Sequence, residues 1–258
     1  TFEGAVHQAR LVVENESFPK YRHVLADEVQ DFSLEALRLL AALSPIEESL
    51  TDPLSVAGDG HQRIYRTKVP LCRAGIEVRG RSSRLKVNYR TSAQIRSFAE
   101  SILKGVEVDD LDQGTTTTIG DSSVFTGPEP EVYPCTDAQS EAKVITSWVK
   151  ELVASQEFEP HEICITPYKP DIVTTLLAEG FKTYELMPRQ AEPGAEEPGV
   201  RLGTMKRTKG LEFRAIIMAC FEQSDAMNNL DTADIIDRCE RYVAATRARE
   251  RLLICVSN

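Results

Sequence analysis

VLADEVQDFS (24–33) is an apolar run that ends in the acid pair Asp27 and Glu28. The run predicts a buried strand, and SLEALRLLAAL (33–43) directly after it predicts a helix with Ser33 as its N-cap. A strand followed at once by a helix favours an α/β fold with a largely parallel sheet. In such a fold both carboxylates lie at the carboxyl edge of the sheet, which is where ligands of open α/β folds bind.

Apolar runs and helical patterns alternate along the rest of the chain. Further strands are predicted at LSVAGD (54–59), RLKVN (84–88), EVYPC (131–135), HEICITPY (161–168), FKTYEL (181–186), VRLGT (200–204), FRAIIMAC (213–220) and RLLICV (251–256). Thr136 and Gln139 are spaced for a capping box at the start of the helix after EVYPC. The polar stretch 106–123 predicts a surface excursion.

The composition excludes several classes of protein. The 258 residues are 41% hydrophobic and 27% charged, which is enough for a substantial core in one large domain or two smaller ones. No apolar run reaches the roughly 18 residues that span a bilayer, so we expect no membrane partner and a cytoplasmic location. The six cysteines contain no CxxC pair, which argues against disulfides or a metal site built on cysteine.

The charges are unevenly distributed along the chain. The net charge is −10, yet residues 63–90 hold nine basic side chains and the single acid Glu77. These basic residues are Arg63, Arg66, Lys68, Arg73, Arg79, Arg81, Arg84, Lys86 and Arg90. Such a segment indicates either a surface that binds a polyanion or a solvated basic face, and charge alone leaves both open.

The acid pair has a possible role in phosphate chemistry. Asp27 can help to hold Mg²⁺ near nucleotide phosphates, and Glu28 can orient or deprotonate the attacking water. Acids also commonly cap strand ends or the helices that follow them, so the pair taken alone leaves a structural role open.

Five segments in order resemble motifs two to six of the UvrD/Rep-like superfamily 1 DNA helicases. They are VLADEVQDFS, GDGHQRIY (58–65), LKVNYRTS (85–92), GTMKRTKGLEF (203–213) and YVAATRARERL (242–252). The resemblance implies two RecA-like lobes with ATP in the cleft between them, and 3′→5′ movement along single-stranded DNA. Residues 1–82 would form the end of the first lobe, and residues 83–258 the whole second lobe.

The resemblance assigns roles in ATP hydrolysis to five residues. Asp27 matches the metal-linked acid, Glu28 the general base and Gln62 the glutamine that senses the γ-phosphate. Arg90 matches a γ-phosphate arginine, and Arg247 matches the arginine finger. A planar, permanently charged guanidinium suits the charge that spreads over phosphoryl oxygens in the transition state.

Two further residues would bind the nucleotide, and five would bind DNA. Tyr89 resembles the aromatic residue that stacks on adenine, and Glu212 the acid that binds the ribose hydroxyl. The DNA contacts expected are Tyr65, Arg66, Thr204, Lys206 and Lys209. Lys206 also begins a cationic run at a strand end, for which a phosphate partner is one explanation. The alternative is that Lys206 is solvated or pairs with an acid of the first lobe.

The sequence departs from the family pattern in four places. No Gly-Lys dipeptide occurs, so the phosphate-binding loop is absent and we expect the C-terminal part of a longer protein, inactive as an ATPase alone. Thr67 stands where the family has a base-stacking aromatic residue, and Lys206 where many members have histidine. The short interval between FKTYEL and the next motif leaves no room for the large helical insertion of the second lobe.

Two functional classes follow from these observations. The first is an ATP-dependent DNA helicase or translocase that uses ATP and Mg²⁺ and is completed by an N-terminal part carrying the phosphate-binding loop. The second is a nucleic-acid-responsive binding or regulatory module without motor activity.

Overall fold

A computed structural model describes residues 1–15, 18–44, 53–64, 69–112, 114–116, 121–188, 190–220 and 232–257. The chain divides into two compact units. Unit 1 comprises residues 1–84 and 106–117, and unit 2 comprises residues 85–105 and 118–258.

Seven α-helices and twelve strands follow one another along the described part of the chain. They are α1 (Phe2–Glu14), β1 (Val24–Ala26), α2 (Leu34–Leu43), β2 (Leu54–Val56), β3 (Val87–Asn88), α3 (Ala93–Ile102), β4 (Val108–Asp109), β5 (Thr115–Thr116), β6 (Ser122–Ser123), β7 (Glu131–Cys135), α4 (Ala138–Ala154), β8 (Ile163–Thr166), α5 (Pro170–Ala178), β9 (Thr183–Glu185), β10 (Val200–Leu202), α6 (Met205–Thr208), β11 (Phe213–Ala219), α7 (Thr232–Ala245) and β12 (Ala248–Ser257).

Unit 1 is built around the parallel pair β1 and β2, in which Val24 lies opposite Leu54 and Ala26 opposite Val56. Helix α1 packs against α2, and β4 pairs with β5 in antiparallel fashion. The buried core of this unit comprises Val29, Leu37, Leu71, Ala74 and Ile76. Both β1 and β2 therefore end at the same edge of one small parallel sheet.

Unit 2 contains a six-stranded sheet in the order β7-β12-β11-β8-β10-β9. Every neighbouring pair in this sheet is parallel. A second, two-stranded parallel sheet pairs β3 with β6. Because all six strands of the main sheet point the same way, it has one amino edge and one carboxyl edge, and residues before and after the strands are separated to opposite edges.

Helices cover both faces of the six-stranded sheet, as a parallel sheet requires. Helices α4 and α5 share a core with alternate residues of β11, which include Ala215 and Ile217. Ile216 and Met218 alternate with them in the same strand and are equally buried, while α7 contacts β11 and β12 and also packs on α3. Trp148 of α4 is 4% exposed, so it belongs to the core.

The loop between β9 and β10 is attached to the sheet by a buried arginine. Arg201 of β10 is fully buried, and its guanidinium donates hydrogen bonds to the backbone carbonyl groups of Pro193, Gly194, Glu197 and Gly199 at 2.8 to 3.2 Å. The described part of residues 186–199 contains no helix.

The predicted α/β fold with a largely parallel sheet flanked by helices is confirmed. Ser33 is the N-cap of α2, as predicted, and its Oγ accepts from the backbone N–H of Ala36. The predicted capping box at the start of α4 is wrong by one residue, because Asp137 and Ser140 form it. Across the described residues, no helix is long and apolar enough to cross a membrane.

Candidate functional site

The acid pair Asp27 and Glu28 follows β1 directly, and Asp59 comes three residues after β2. All three acids therefore lie at the carboxyl edge of the small parallel sheet of unit 1. Glu28 has φ 55°, ψ 33°, a left-handed conformation that is uncommon for a residue with a side chain. Its backbone N–H donates to Asp27 Oδ1 at 2.7 Å. Such strain is frequent at functional sites, and here it sets the direction of the Glu28 carboxylate.

Gln30 connects Glu28 to the end of the neighbouring strand. Its side-chain amide donates to Glu28 Oε2, and its Oε1 accepts from the backbone N–H of Asp59 at 3.1 Å. Gln30 is only 3% exposed. A Cβ atom on Gly58 would lie 2.8 Å from Gln30 Oε1, so the close approach of β2 to Gln30 requires glycine at that position.

Asp59 joins Gln62 to the same network. Gln62 Nε2 donates to Asp59 Oδ2 at 3.0 Å, and the His61 ring Nδ1 lies 2.9 Å from Asp59 Oδ1. Burial acts to raise the pKa of Asp59, but hydrogen bonds and charge interaction from His61 and the bond from Gln62 outweigh it, so the pKa is lowered. We call Asp27, Glu28, Gln30, Asp59 and Gln62 the strand-end cluster.

The strand-end cluster has the donor chemistry for a magnesium ion. Mg²⁺ is usually held by one or two protein carboxylates, with waters and substrate phosphates as its other ligands. Asp27 and Glu28 are both exposed and carry such carboxylates at the sheet edge. Within the described part of the chain, no group of three or more His, Cys, Asp or Glu residues forms a protein-only metal cage.

A second group of predicted site residues assembles in unit 2. Arg90 Nε lies 2.6 Å from Glu212 Oε1, and each of these side chains is about 40% exposed. Glu212 directly precedes β11, and Arg247 directly precedes β12. The two strands are neighbours, and the backbone N–H of Phe213 donates to the carbonyl oxygen of Arg247 at 3.0 Å. The Arg90–Glu212 ion pair and the backbone of Arg247 thus lie at the amino ends of two neighbouring strands of the six-stranded sheet.

Arg247 is the least accessible member of this group. It is 2% exposed, and its guanidinium donates to Val243 O at 3.1 Å and to Thr246 Oγ1 at 3.3 Å. These bonds hold it against the end of α7. Tyr89, which precedes Arg90, is 74% exposed. We call Tyr89, Arg90, Glu212 and Arg247 the amino-edge cluster.

Asn88 fixes the backbone that carries Tyr89 and Arg90. Its Oδ1 accepts from the backbone N–H of Arg90 at 2.7 Å and of Thr91 at 3.1 Å. The side chain of a strand-end asparagine thereby forms the turn that leads from β3 towards α3. Both side chains of the Tyr89-Arg90 pair consequently stand on an ordered turn.

Thr204 lies at the opposite, carboxyl edge of the same sheet, just after β10, and Lys206 and Lys209 follow it in the connection that leads to β11. Thr204 is exposed and caps α6, since its Oγ1 accepts from the backbone N–H of Arg207 at 3.2 Å. Lys206 Nζ lies 3.2 Å from Glu240 Oε1 on α7. The expected alternative partner of Lys206, an acid of the first lobe, is therefore wrong: the observed partner belongs to unit 2, because α6 packs on α7.

The basic segment 63–90 is mostly solvent-exposed where it is described. Its exposed basic residues include Arg73, Arg79, Arg81, Arg84 and Lys86. Arg79 Nε lies 3.8 Å from Asp112 Oδ2, a long contact for an ion pair. Tyr65 and Arg66, which were predicted to contact DNA, and Thr67 lie outside the described residues.

Two members of the strand-end cluster received no role from the sequence. Gln30 and Asp59 were visible as polar residues just after apolar runs, but nothing in the sequence linked one to the other. A sequence signal that could have linked them is that the apolar runs of β1 and β2 are each followed by acids. If the two strands are parallel neighbours, as they are in the structure, these acids lie at the same edge of the sheet.

Comparison with known proteins shows what this chain is similar to. A family model described as AAA domain matches residues 69–258, which is well over half of the chain. The chain is similar to DNA helicase IV of Escherichia coli (strain K12), with 34% identity over 109 residues, 40% of this chain. The match spans only 16% of the length of that relative. A solved structure, the C-terminal domain of a possible DNA helicase from Lactobacillus plantarum WCFS1, is similar with 18% identity and a TM-score of 0.45, over 66% of this chain and 88% of that one.

Proposed function

Since the chain belongs to the AAA domain family, we propose that it is the C-terminal part of an ATP-dependent DNA helicase or translocase of the UvrD/Rep type. The observation that carries the proposal is the strand-end cluster. Glu28 and Gln62 match two separate helicase motifs, and the described hydrogen bonds through Gln30 and Asp59 link them at one sheet edge. The similarity to DNA helicase IV supports the same class of activity.

In this proposal Glu28 is the general base of ATP hydrolysis. Its carboxylate accepts a proton from the water that attacks the γ-phosphorus, while the bond from the γ-phosphorus to the ADP oxygen breaks. The side-chain amide of Gln30 donates a hydrogen bond to Glu28 Oε2 and so orients this carboxylate. Asp27 would hold Mg²⁺, which supplies charge neutralisation at the phosphate oxygens when it is bound.

The amino-edge cluster would contribute the second set of contacts to the nucleotide. Tyr89 offers an exposed ring to the base, and Glu212 offers a carboxylate to a ribose hydroxyl. Arg90 would supply a guanidinium group for the phosphoryl oxygens. Arg247 would supply a second one only after its guanidinium leaves Val243 O and Thr246 Oγ1, to which it donates in this structure. Arg90 forms an ion pair with Glu212 in this structure. Nucleotide binding would therefore replace this ion pair with contacts from Arg90 to phosphate.

Single-stranded DNA is the proposed second ligand. The connection from β10 to β11 begins with Thr204 at the carboxyl edge of the sheet and ends with Glu212 at the amino edge. Lys206, in α6, and Lys209, just after α6, lie along this connection. This short connection would couple a DNA contact to the nucleotide contact. Movement in the 3′→5′ direction follows from the family resemblance.

The test uses the full-length protein that contains this chain. We expect its ATPase rate to rise when single-stranded DNA is added, and we expect it to displace a strand from a duplex with a 3′ single-stranded tail but not a 5′ tail. The isolated chain should hydrolyse ATP no faster than background, because the phosphate-binding loop supplies most contacts to the triphosphate.

Other results would support different conclusions. A full-length protein that binds DNA but shows no DNA-stimulated ATPase would favour the regulatory module over the motor. DNA-stimulated ATP hydrolysis by the isolated chain would contradict the proposal that a separate phosphate-binding loop is needed. Displacement only from the 5′-tailed duplex would contradict the polarity.

A further inference from the structure

The carboxyl edge of the six-stranded sheet carries an exposed aromatic residue to which no motif assigns a role. Tyr168 follows β8, two residues beyond Thr166, and 37% of its surface is exposed. In the sheet, β8 is the direct neighbour of β10, which leads into Thr204. Tyr168 and Thr204 are thus on adjacent strand ends, at the edge where the proposed function puts DNA.

Hydrogen bonds join the two strand ends beyond the last paired residues. The backbone N–H of Gly203 donates to Ile165 O at 3.2 Å, and the backbone N–H of Tyr168 donates to Gly203 O at 2.9 Å. The position of the tyrosine backbone is therefore set directly against the residue before Thr204.

The residue after Tyr168 is anchored as well. Lys169 Nζ lies 2.7 Å from Glu141 Oε2, and Glu141, in the first turn of α4, is fully buried. The loop that carries Tyr168 is consequently fastened on one side to the loop after β10 and on the other side to α4. Tyr168 is thus partly exposed to solvent, while the Lys169 side chain next to it is fixed by its ion pair with Glu141.

The edge combines this ring with apolar surface and positive charge. Met187, two residues past the end of β9, is 45% exposed, and β9 lies on the other side of β10. Lys206 and Arg207 follow Thr204 in α6. The strand ends along this edge therefore carry Tyr168, Thr204 and Met187 in turn, with two cations after Thr204. Lys206 pairs with Glu240, and Arg207 donates to the carbonyl oxygens of Met187 and Gln190. Nucleic-acid strands are bound by this combination, with bases stacked on aromatic rings and cations along the backbone.

We infer that Tyr168 is a base-stacking residue for single-stranded DNA, beside Thr204. The inference rests on the proposed function, and it concerns a position outside all five motif segments. Thr67 replaces the aromatic residue expected in the basic segment, so the chain lacks a ring at that position. Tyr168 supplies a ring from the second unit instead. The contact is to the face of a base, which every base possesses, so it carries no sequence preference.

The experiment measures binding of fluorescent oligothymidylate to the 258-residue chain by anisotropy, at several salt concentrations. The variants are Tyr168→Ala and Tyr168→Phe, with Tyr133→Ala as matched control. Tyr133 is also an exposed tyrosine, 43% exposed, but it lies on β7 at the far side of the same sheet. A second oligonucleotide of equal length carries abasic sites in place of its central bases.

We expect Tyr168→Ala to weaken binding of oligothymidylate by about tenfold or more, and Tyr168→Phe and Tyr133→Ala to bind as the unaltered chain does. The slope of log affinity against log salt should stay the same in Tyr168→Ala, because a ring neutralises no phosphate. On the abasic oligonucleotide, Tyr168→Ala and the unaltered chain should bind equally.

Two results would overturn the inference in distinguishable ways. If the unaltered chain binds oligothymidylate and Tyr168→Ala binds equally well, the stacking role of Tyr168 is wrong and the proposed function stands. If the unaltered chain binds no single-stranded DNA at low salt, the DNA-binding part of the proposed function fails, and the role of Tyr168 fails with it. Thermal unfolding of each variant establishes that a loss of affinity is not a loss of fold.

Discussion

Arg90 and Glu212 are separated by 122 positions in the sequence, yet Arg90 Nε and Glu212 Oε1 lie 2.6 Å apart in unit 2. One side chain stands on the turn after β3, and the other directly precedes β11. Their pairing joins two segments that resemble different motifs of one helicase family. The same pair also sets a competition, because a phosphate that binds Arg90 must draw it from Glu212.

The Arg90–Glu212 pair should contribute little to stability. Both side chains are about 40% exposed, and exposed ion pairs contribute about 1 kcal/mol or less. We expect Glu212→Gln, Arg90→Gln and the double variant to unfold within about 1 kcal/mol of the unaltered chain in urea. The same Glu212→Gln change in the full-length protein should weaken ATP binding by about tenfold, because the lost bond from the ribose hydroxyl to a charged carboxylate outweighs the gain from freeing Arg90 of an exposed ion pair. A large loss of stability with unchanged ATP affinity would make the pair a structural one.

Gly58→Ala should damage the strand-end cluster. The added Cβ would lie 2.8 Å from Gln30 Oε1 and 2.9 Å from Leu111 Cδ1, so Gln30 or the backbone must shift. We expect unit 1 to lose about 1–3 kcal/mol of stability, as overpacked sites do. The matched control is Gly4→Ala in α1. Among the described residues, one atom would lie close to the added Cβ, Thr1 Oγ1 at 3.2 Å, and a helix gains stability by losing glycine. Equal unfolding curves for both variants would show that the Gln30 contact tolerates a side chain.

Glu35 should make unit 1 sensitive to acid. Hydrogen bonds from His7, Arg10 and Arg38 lower the pKa of Glu35 to about 2. A lowered pKa in the folded state contributes stability that is fully present above the usual glutamate pKa and is lost as pH falls towards 2. Glu35→Gln should therefore lower Tm at pH 7, and the difference from the unaltered chain should shrink between about pH 4.5 and pH 2. A Tm difference for Glu35→Gln that is constant across this range would contradict the assignment.

Lys206 should report a phosphate contact through salt dependence. Lys206→Ala should weaken single-stranded DNA binding regardless of base sequence and reduce the slope of log affinity against log salt by about 0.7. Glu240→Gln removes the observed 3.2 Å partner and should strengthen binding, because Lys206 no longer has to leave an ion pair. The exposed Lys143 on α4, changed to Ala, serves as control. An unchanged slope in Lys206→Ala would leave the Glu240 ion pair as the role of Lys206.

Much of the fold could be predicted because local sequence patterns mark where its helices and strands begin and end. Ser33 is the N-cap of α2 because its hydroxyl accepts from a backbone N–H in the first turn of the helix. This bond is local and does not depend on where the helix packs in the fold. The capping box of α4 was predicted one residue too early because Thr136 and Asp137 are both good caps. The structure selects Asp137, which accepts from the backbone N–H of Ser140 at 2.6 Å.

The arrangement of the site was less accessible to sequence reasoning. The order of the motifs identified Glu28 and Gln62, but the left-handed backbone of Glu28 and the bridge through Gln30 depend on how closely β1 and β2 approach each other. The burial of Arg247 likewise depends on the packing of α7, which no local pattern encodes. The sequence alone does not single out Tyr168, because it lies near Thr204 only through the pairing of β8 with β10, which begins 32 positions further along the chain.

The measurement that tests the central claim most directly is ATP turnover by the full-length protein with Glu28→Gln. The amide keeps the shape of the side chain and its place beside Gln30, but it cannot accept the proton of the attacking water. We expect DNA-stimulated ATP hydrolysis to fall by about 10²- to 10⁴-fold, as loss of a general base does, while equilibrium binding of ATP and of single-stranded DNA stays within about twofold of the unaltered protein. ATP hydrolysis at the normal rate by Glu28→Gln would contradict the account.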